Sequence, residues 1–176
     1  EYIERMKGVF WLEMETRPYM RALAGLADAL IQCGQPERVD EAIDIYESML
    51  ELNPNDNQGV RDPLAACFLQ RKLYPYAEDL LTSYGDDCMA VSCWAWVLLA
   101  YATGDEQEAT TRLREARLQN PHVEQYLTGQ KRRPRSRSGF YSPGEDSEAV
   151  FCAETLWEAW KKHPEAKRWL KEKCTE

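Results

Sequence analysis

The sequence has no long hydrophobic run, and this absence excludes a membrane-spanning helix within it. Its most apolar stretch, residues 94–102, covers nine positions, whereas a transmembrane helix needs ~18 or more. A secretory signal pattern is also missing. The chain opens at Glu1 inside a helical pattern and without an initiator Met, so we expect it to be a piece of a longer protein.

The cysteines lack the spacings that metal sites and redox motifs use. No two of the six form a Cys-x-x-Cys pair, since they stand at positions 33, 67, 88, 93, 152 and 174. Most lie inside apolar helical patterns, which is typical of structural thiols in a reducing compartment. We therefore expect reduced cysteines in a cytoplasmic protein, without metal or cofactor. Metal ligation or disulfides are the alternative.

Motifs that support catalysis are missing as well. Of the two histidines, His122 follows a helix end and His163 begins a helix, and both positions favour a structural role. The glycines form no phosphate-binding loop, no serine stands in a Gly-x-Ser-x-Gly setting, and residues 53–58 lack calcium-loop spacing. The paired acids at 86–87 and 145–146 fall at a turn and a helix start, where they are solvated caps. The sequence predicts that the chain is not an enzyme.

No stretch has the pattern of a long strand, while apolar residues recur at helical spacing along most of the chain. Ala27 and Ala42 are small residues that allow two antiparallel helices to approach closely, and Tyr46 fills the space toward the next pair. The first pair ends at Asn53-Pro54 and the third ends in the same way at Asn120-Pro121. Helix pairs are therefore predicted at 17–54, 58–87 and 90–121.

These pairs resemble the tetratricopeptide repeat, whose period is ~34 residues with small, large and proline positions at fixed offsets. In the first copy the resemblance rests on Leu23, Leu26, Ala27, Leu30, Ala42, Tyr46, Met49 and Pro54. It implies an all-α, right-handed superhelical array of about three pairs, forming one domain over residues 1–176. The turn from Gly34 to Asp40 is longer than the family norm, so we expect a bulge there. An unrelated helical bundle is the alternative.

The pattern changes outside the pairs. Residues 1–15 are predicted as a helix left from an upstream segment, 130–144 as a basic loop, and 145–174 as helices that cap the apolar end of the stack. About 50 residues of this C-terminal part resemble the suppression-of-tumorigenicity family, and residues 52–59 resemble bacterial repeat proteins of the same build. The matching C-terminal segments are Asn120-Pro121-His122-Val123, Tyr126-Leu127, Gly144, Asp146-Ser147-Glu148-Ala149 and Trp160. This resemblance implies a scaffold and adds no catalytic residue.

The tetratricopeptide resemblance also implies where a partner binds. In that family the first helix of each pair lines the concave face of the array. Carried over to this chain, the groove comprises Arg21, Ala24, Asp28, Gln32, Asp62, Ala66, Leu69, Gln70, Val91, Trp94, Leu98 and Tyr101. Its third-pair portion is apolar and suits an amphipathic helix or an extended apolar segment. In the alternative interpretation, helices around Trp157 and Trp160 cover Trp94 and Tyr101.

Charge is segregated along the chain. The net charge of -8 argues against a general nucleic-acid binder, yet residues 131–137 hold five positive charges and no acid. These charges are Lys131, Arg132, Arg133, Arg135 and Arg137. They suit an acidic partner, RNA or DNA; the alternative is a solvated loop, or one held against the protein's own acidic surface. We expect a scaffold module that binds another protein. One alternative is that the chain binds nucleic acid or an acidic partner through this loop. The other is that it is a regulatory domain of a larger enzyme.

Overall fold

The computed structural model describes residues 2–86, 88–134 and 140–174. Within these ranges the regular elements are helices and none is a strand, so the predicted all-α class is confirmed. The chain divides into two compact units, residues 1–67 and 68–176. The elements are α1 (Tyr2–Met6), a 3₁₀ turn (Met14–Thr16), α2 (Arg17–Gln32), α3 (Pro36–Leu52), α4 (Arg61–Gln70), α5 (Tyr74–Ser83), α6 (Ala90–Ala102), α7 (Glu106–Gln119), α8 (Val123–Thr128), α9 (Asp146–Lys161) and α10 (Pro164–Lys173).

Local sequence signals set most helix starts. Pro18, Pro36, Pro75 and Pro164 stand in the first two positions of their helices. Proline suits these positions because its φ is already helical and the missing N–H has no partner there. Asp105 begins α7 differently, because its carboxylate accepts a hydrogen bond of 2.8 Å from an amide in the first turn.

Two local predictions are wrong. The helix predicted over residues 1–15 stops early: α1 ends at Met6, and Gly8 adopts a φ of +87°, a left-handed conformation that ends helices. The bulge predicted after Gly34 does not form, because α3 already begins at Pro36. The extra residues of this connection lengthen α3 instead, since Pro36 suits a first helical position.

The first unit is built around α2 and α3, which pack against each other. Ala27 of α2 and Ala42 of α3 are fully buried, as close helix approach requires. Tyr46 is also buried, and its hydroxyl donates a hydrogen bond of 2.6 Å to Asp28. Burial, together with this bond, raises the pKa of Tyr46 above its usual value. A neutral tyrosine therefore joins the two helices.

The segment between α1 and α2 closes the end of α3. The amides of Gly8 and Phe10 both donate to the carbonyl oxygen of Leu52, at 3.0 and 3.2 Å. This satisfies a carbonyl that the last helical turn leaves without a partner. Phe10 is buried, and its ring meets that of Tyr19 edge-on with centroids 5.9 Å apart. The segment is thereby anchored at the start of α2.

Asp56 organises the turn between α3 and α4. Its buried carboxylate accepts hydrogen bonds from the amides of Val60 and Arg61, at 2.8 and 3.1 Å, and from the Arg61 guanidinium at 3.2 Å. Burial outweighs these donors and raises the pKa of Asp56. The oxygen-rich stretch 53–58 thus supplies a carboxylate that caps the first amides of a helix.

The second unit is built around α6. Nine of the thirteen side chains of α6 are buried, and both α7 and α9 pack against it. Trp94 of α6 meets Trp160 of α9, with ring centroids 6.5 Å apart and both side chains fully buried. A helix that is apolar on all sides belongs inside a core. α6 is therefore the central helix of this unit.

His163 joins the start of α10 to α5. Its Nδ1 lies 2.7 Å from the carbonyl oxygen of Ala159, and its Nε2 lies 2.9 Å from the hydroxyl of Tyr74. These contacts fit a neutral ring that donates from Nδ1 and accepts the Tyr74 proton at Nε2. Burial lowers the pKa of His163, and the positive charge of Lys72 acts in the same direction.

Acid is therefore expected to destabilise the protein through His163. The folded-state pKa lies below the unfolded value of ~6.5, so the unfolded chain takes up the proton first. This contribution to stability is present above the unfolded pKa and is lost as the pH falls toward the folded pKa. Between about pH 7.5 and 5.5 the melting temperature should fall more steeply with decreasing pH for wild type than for His163→Gln. His122→Gln serves as the control. Equal slopes for wild type and His163→Gln would contradict the assignment.

Candidate interaction surfaces

Five residues of the predicted groove are buried, and the prediction is corrected at these positions. Four of them expose 2% of their surface or less: Leu69, Val91, Trp94 and Leu98. The fifth, Ala66 of α4, exposes 6%. On α6 the reason is that α9 packs against the helix and brings Trp160 against Trp94. The alternative interpretation expected this arrangement for Trp94. Side chains in such positions contact the protein's own core and are not available to a partner.

The other groove positions are distributed over both units. Arg21 and Asp28 are exposed on α2, and Asp62 is half-buried in α4. All three belong to the first unit, whereas Tyr101 lies in the second. Tyr101 is half-buried, with its ring centroid 5.0 Å from that of Trp169 on α10. The C-terminal helices therefore cover part of Tyr101 as well.

α2 presents an apolar stripe to solvent. Its members recur at the spacing of one helix face, and we call them the α2 stripe: Tyr19, Leu23, Leu26 and Leu30. Tyr19 and Leu26 are 46% and 52% exposed, and the other two are half-buried. The fully buried positions of α2 are instead Met20 and Ala27. Leu23, Leu26 and Leu30, on which the tetratricopeptide resemblance partly rests, thus contribute to the surface.

Further apolar side chains are exposed just before α2. Leu12 and Met14, in the segment that leads into the helix, are 63% and 76% exposed. The same segment contributes Phe10, whose ring contacts Tyr19 at the first position of the α2 stripe. Grouped exposed apolar residues are uncommon on monomeric proteins and mark interaction sites.

Glu148 is a buried carboxylate that joins three segments of the second unit. It is 1% exposed and accepts hydrogen bonds from the amide of Ala90 at 3.1 Å, from Asn120 Nδ2 at 2.9 Å and from the amide of Gly144 at 2.7 Å. Asn120 Oδ1 in turn accepts from the amide of His122 at 3.0 Å. The segments that carry the suppression-of-tumorigenicity resemblance therefore meet, and what they build is a structural junction.

The basic loop is attached to the protein at Lys131, the first of its charged residues. The Lys131 ammonium pairs with the Asp146 carboxylate and lies 4.9 Å from the centroid of the Tyr126 ring. Tyr126 also donates to Asp146, at 2.9 Å. The hydrogen bond from Lys131 lowers the pKa of Asp146. Two predicted members of this loop, Arg135 and Arg137, lie outside the described residues.

Further along the loop, Arg133 meets the aromatic ring of Trp157. Its guanidinium carbon lies 3.9 Å from the ring centroid, and the Lys167 ammonium of α10 lies 4.3 Å from the same centroid. Burial lowers the pKa of Lys167, and the positive charges of Lys171 and Arg133 lower it further. We call these four residues the Trp157 cluster: Arg133, Trp157, Lys167 and Lys171. Sequence reasoning singled out Arg133 but not the aromatic ring that holds it.

Two of the thiols, Cys67 and Cys174, lie in environments that suppress reactivity. All six cysteines are free. Burial raises the pKa of Cys67 to about 12. Burial also raises the pKa of Cys174 to about 12, helped by its hydrogen bond of 2.9 Å to the Glu124 carboxylate. Because the thiolate is the nucleophile, such thiols react slowly at neutral pH. In the part of the chain that the structure describes, no three His, Cys, Asp or Glu side chains are placed to hold a metal ion.

Comparison of the chain with protein-family models, curated proteins and solved structures finds no match. Among the described residues, no helix combines the length and the apolar character needed to cross a bilayer. The α2 stripe and the Trp157 cluster are therefore interpreted from their own chemistry.

Proposed function

We propose that the chain is an interaction module, an array of tetratricopeptide-like helix pairs that binds another protein and catalyses no reaction. The α2 stripe is the observation that carries the proposal. α2 is apolar on most of its circumference, with Arg17, Arg21 and Asp28 as its charged residues. Helices of that composition are normally covered, yet Leu26 is 52% exposed. A partner that covers the stripe removes this apolar surface from water.

The repeat-like build is supported by residues at equivalent positions. The small residues predicted as helix contact points, Ala27 and Ala42, are fully buried, and so is Ala109 of α7 in the third pair. The asparagines of the two Asn-Pro ends are also buried, Asn53 at 3% and Asn120 at 0% exposure. The two segments thus place chemically matched residues in matched environments, as repeats of one supersecondary unit do.

The proposal that the chain catalyses no reaction is supported by three titratable groups whose pKa values are shifted, Tyr46, Asp56 and His163. Tyr46 joins α3 to Asp28, Asp56 caps the start of α4, and His163 bonds Tyr74. Each is engaged in a local structural contact. Catalytic groups instead converge on a pocket where a substrate can reach them.

An amphipathic helix is the partner that suits the stripe best. Residues four and seven positions apart form a ridge on a helix surface, and such ridges pack into the grooves of a second helix. The partner helix would present apolar residues at the same recurring spacing, which is a common mode of peptide recognition. Exposed Leu12 and Met14 extend the available apolar contact beyond the first turn of α2.

Leu26→Glu is expected to weaken partner binding at least tenfold, because it places a charge in the middle of an apolar contact. Its effect on stability should stay within about 1 kcal/mol, since Leu26 is half exposed before any partner binds. Leu118→Glu on α7 is the matched control, because Leu118 is 87% exposed and lies outside the stripe.

The two variants are compared with wild type by quantitative affinity capture, and each captured protein is then titrated in purified form. Proteins retained by Leu118→Glu and lost by Leu26→Glu support the proposal. Equal capture by both variants argues against it. A concentration-dependent dimer in sedimentation, abolished by Leu26→Glu, would assign the stripe to a second copy of the chain instead.

A further inference from the structure

Positive charge is concentrated in the C-terminal part of this acidic chain. Residues 130–176 contain 11 of its 22 Lys and Arg residues but only 8 of its 30 Asp and Glu residues. Helices α9 and α10 and the basic loop come from this region. The local potential there is opposite in sign to that of the chain as a whole, which carries a net charge of -8. Such segregation directs oppositely charged partners to one place.

The start of the basic loop, residues 131–133, is held in position. The Lys131 amide donates to the carbonyl oxygen of Gln125 at 2.9 Å, and the Lys131 ammonium pairs with Asp146. Two residues later, Arg133 rests on the Trp157 ring. A guanidinium over an aromatic face keeps the N–H groups along its edge free to bind an anion. The loop therefore presents Arg133 already oriented.

Lys167 lies between two other cations of the Trp157 cluster in an electrostatic sense: Arg133 shares the Trp157 ring with it, and Lys171 follows it by one turn of α10. Lys171 and Arg133 both act on Lys167 electrostatically. Within the described residues, none of the three has a carboxylate at ion-pair distance, whereas Lys131 and Lys161 nearby are each paired with an acid. Arg133 and Lys167 are half-buried and Lys171 is exposed, so solvent and ligands reach them. An incoming anion relieves the repulsion and adds charge-assisted hydrogen bonds.

We propose that the Trp157 cluster docks an acidic segment of a partner protein, whose clustered Asp or Glu carboxylates pair with Arg133, Lys167 and Lys171. The site lies on α9, α10 and the loop, in the second unit, and shares no residue with the α2 stripe. Loss of binding here therefore leaves binding at the α2 stripe unaffected, and the two proposals fail independently.

Two observations favour an acidic protein segment over nucleic acid. Proteins that bind single strands stack bases on free aromatic faces, but both Arg133 and Lys167 already lie over the ring of Trp157. The remainder of the chain also holds 22 of the 30 acids, which repel a long polyanion more than a short peptide.

The test uses the full chain and a fluorescein-labelled peptide containing a run of about six glutamates, followed by fluorescence anisotropy. We expect binding that weakens from about 50 to 300 mM NaCl, as charge pairing requires. Lys167→Gln should bind about fivefold more weakly and Arg133→Gln with Lys167→Gln about twentyfold. Arg168→Gln is the matched control: Arg168 neighbours Lys167 on α10 and is exposed outside the cluster. We expect it to stay within about twofold of wild type.

Circular dichroism establishes that each variant is folded. If the Arg133 change disturbs the loop, peptide binding by Lys171→Gln gives a second measure of the contribution of the cluster. No binding by wild type would overturn the proposal. Equal losses in Arg168→Gln and Lys167→Gln would also overturn it, because the effect would then be diffuse charge. Tighter binding of a uridine decanucleotide than of the peptide, lost in the double variant, would assign the cluster to nucleic acid.

Discussion

Trp94→Ala is expected to lower the free energy of unfolding by about 3–5 kcal/mol, the usual cost of emptying a large aromatic site in a core. Trp94 is fully buried on the central helix of its unit and contacts Trp160. We expect the surrounding helices to close the cavity only in part, because α7 and α9 both pack against α6. If Trp94 instead lined an open groove, the Trp94→Ala variant would stay folded and would bind the partner more weakly.

Urea denaturation of Trp94→Ala and Trp96→Ala provides the comparison. Trp96 lies on the same helix but is half-buried, with the Arg112 guanidinium 4.9 Å from its ring centroid. We expect Trp96→Ala to cost roughly half as much, because part of its surface already faces water. A Trp94→Ala protein as stable as Trp96→Ala would contradict the placement of Trp94 in the core.

Glu148→Ala is expected to cost about 3 kcal/mol, because three donors lose a buried acceptor at once. The amides of Ala90 and Gly144 cannot turn toward water without moving the ends of their segments. Glu148→Gln should cost less, about 2 kcal/mol, since one oxygen remains while the new NH₂ group faces a donor. Glu145→Gln, exposed one turn earlier, should change stability by less than about 0.5 kcal/mol.

The contribution of Asn120 can be separated by a double-mutant cycle. Asn120→Ala, Glu148→Ala and the double variant are compared by urea denaturation at neutral pH. Because Asn120 Nδ2 bonds Glu148 at 2.9 Å, we expect a coupling energy of about 1 kcal/mol. Additive effects would mean that the two side chains stabilise the unit separately. The hydrogen bond between Asn120 and Glu148 would then contribute nothing measurable to stability.

The helices could be predicted from sequence because their signals are local. Apolar spacing, the prolines of first turns and the Asn-Pro ends fixed most boundaries, and the all-α class followed. The prediction of a helix over residues 1–15 is wrong because the apolar spacing continues past Gly8, whose positive φ ends α1. Even this signal was present in the sequence.

Which faces pack together could not be predicted in the same way. α2 and α6 are apolar on most sides, so spacing alone does not say that Leu26 is exposed and Leu98 is buried. For Leu98 that choice depends on α9, which is distant in sequence and covers α6. The contact of Arg133 with Trp157 is equally non-local, because the two residues are 24 positions apart and belong to no common motif. Sequence therefore predicted the basic loop but not its aromatic neighbour.

The position of α9 also determines when the second unit can fold during synthesis. Glu148 follows Ala90 by 58 residues, a length that a ribosome makes in roughly 3–12 s at ordinary rates. Until then α6, with its buried Trp94 and Leu98, has no α9 to cover it. For those seconds the nascent chain exposes α6, its most apolar helix, and a chaperone that recognises exposed apolar segments would bind during this interval.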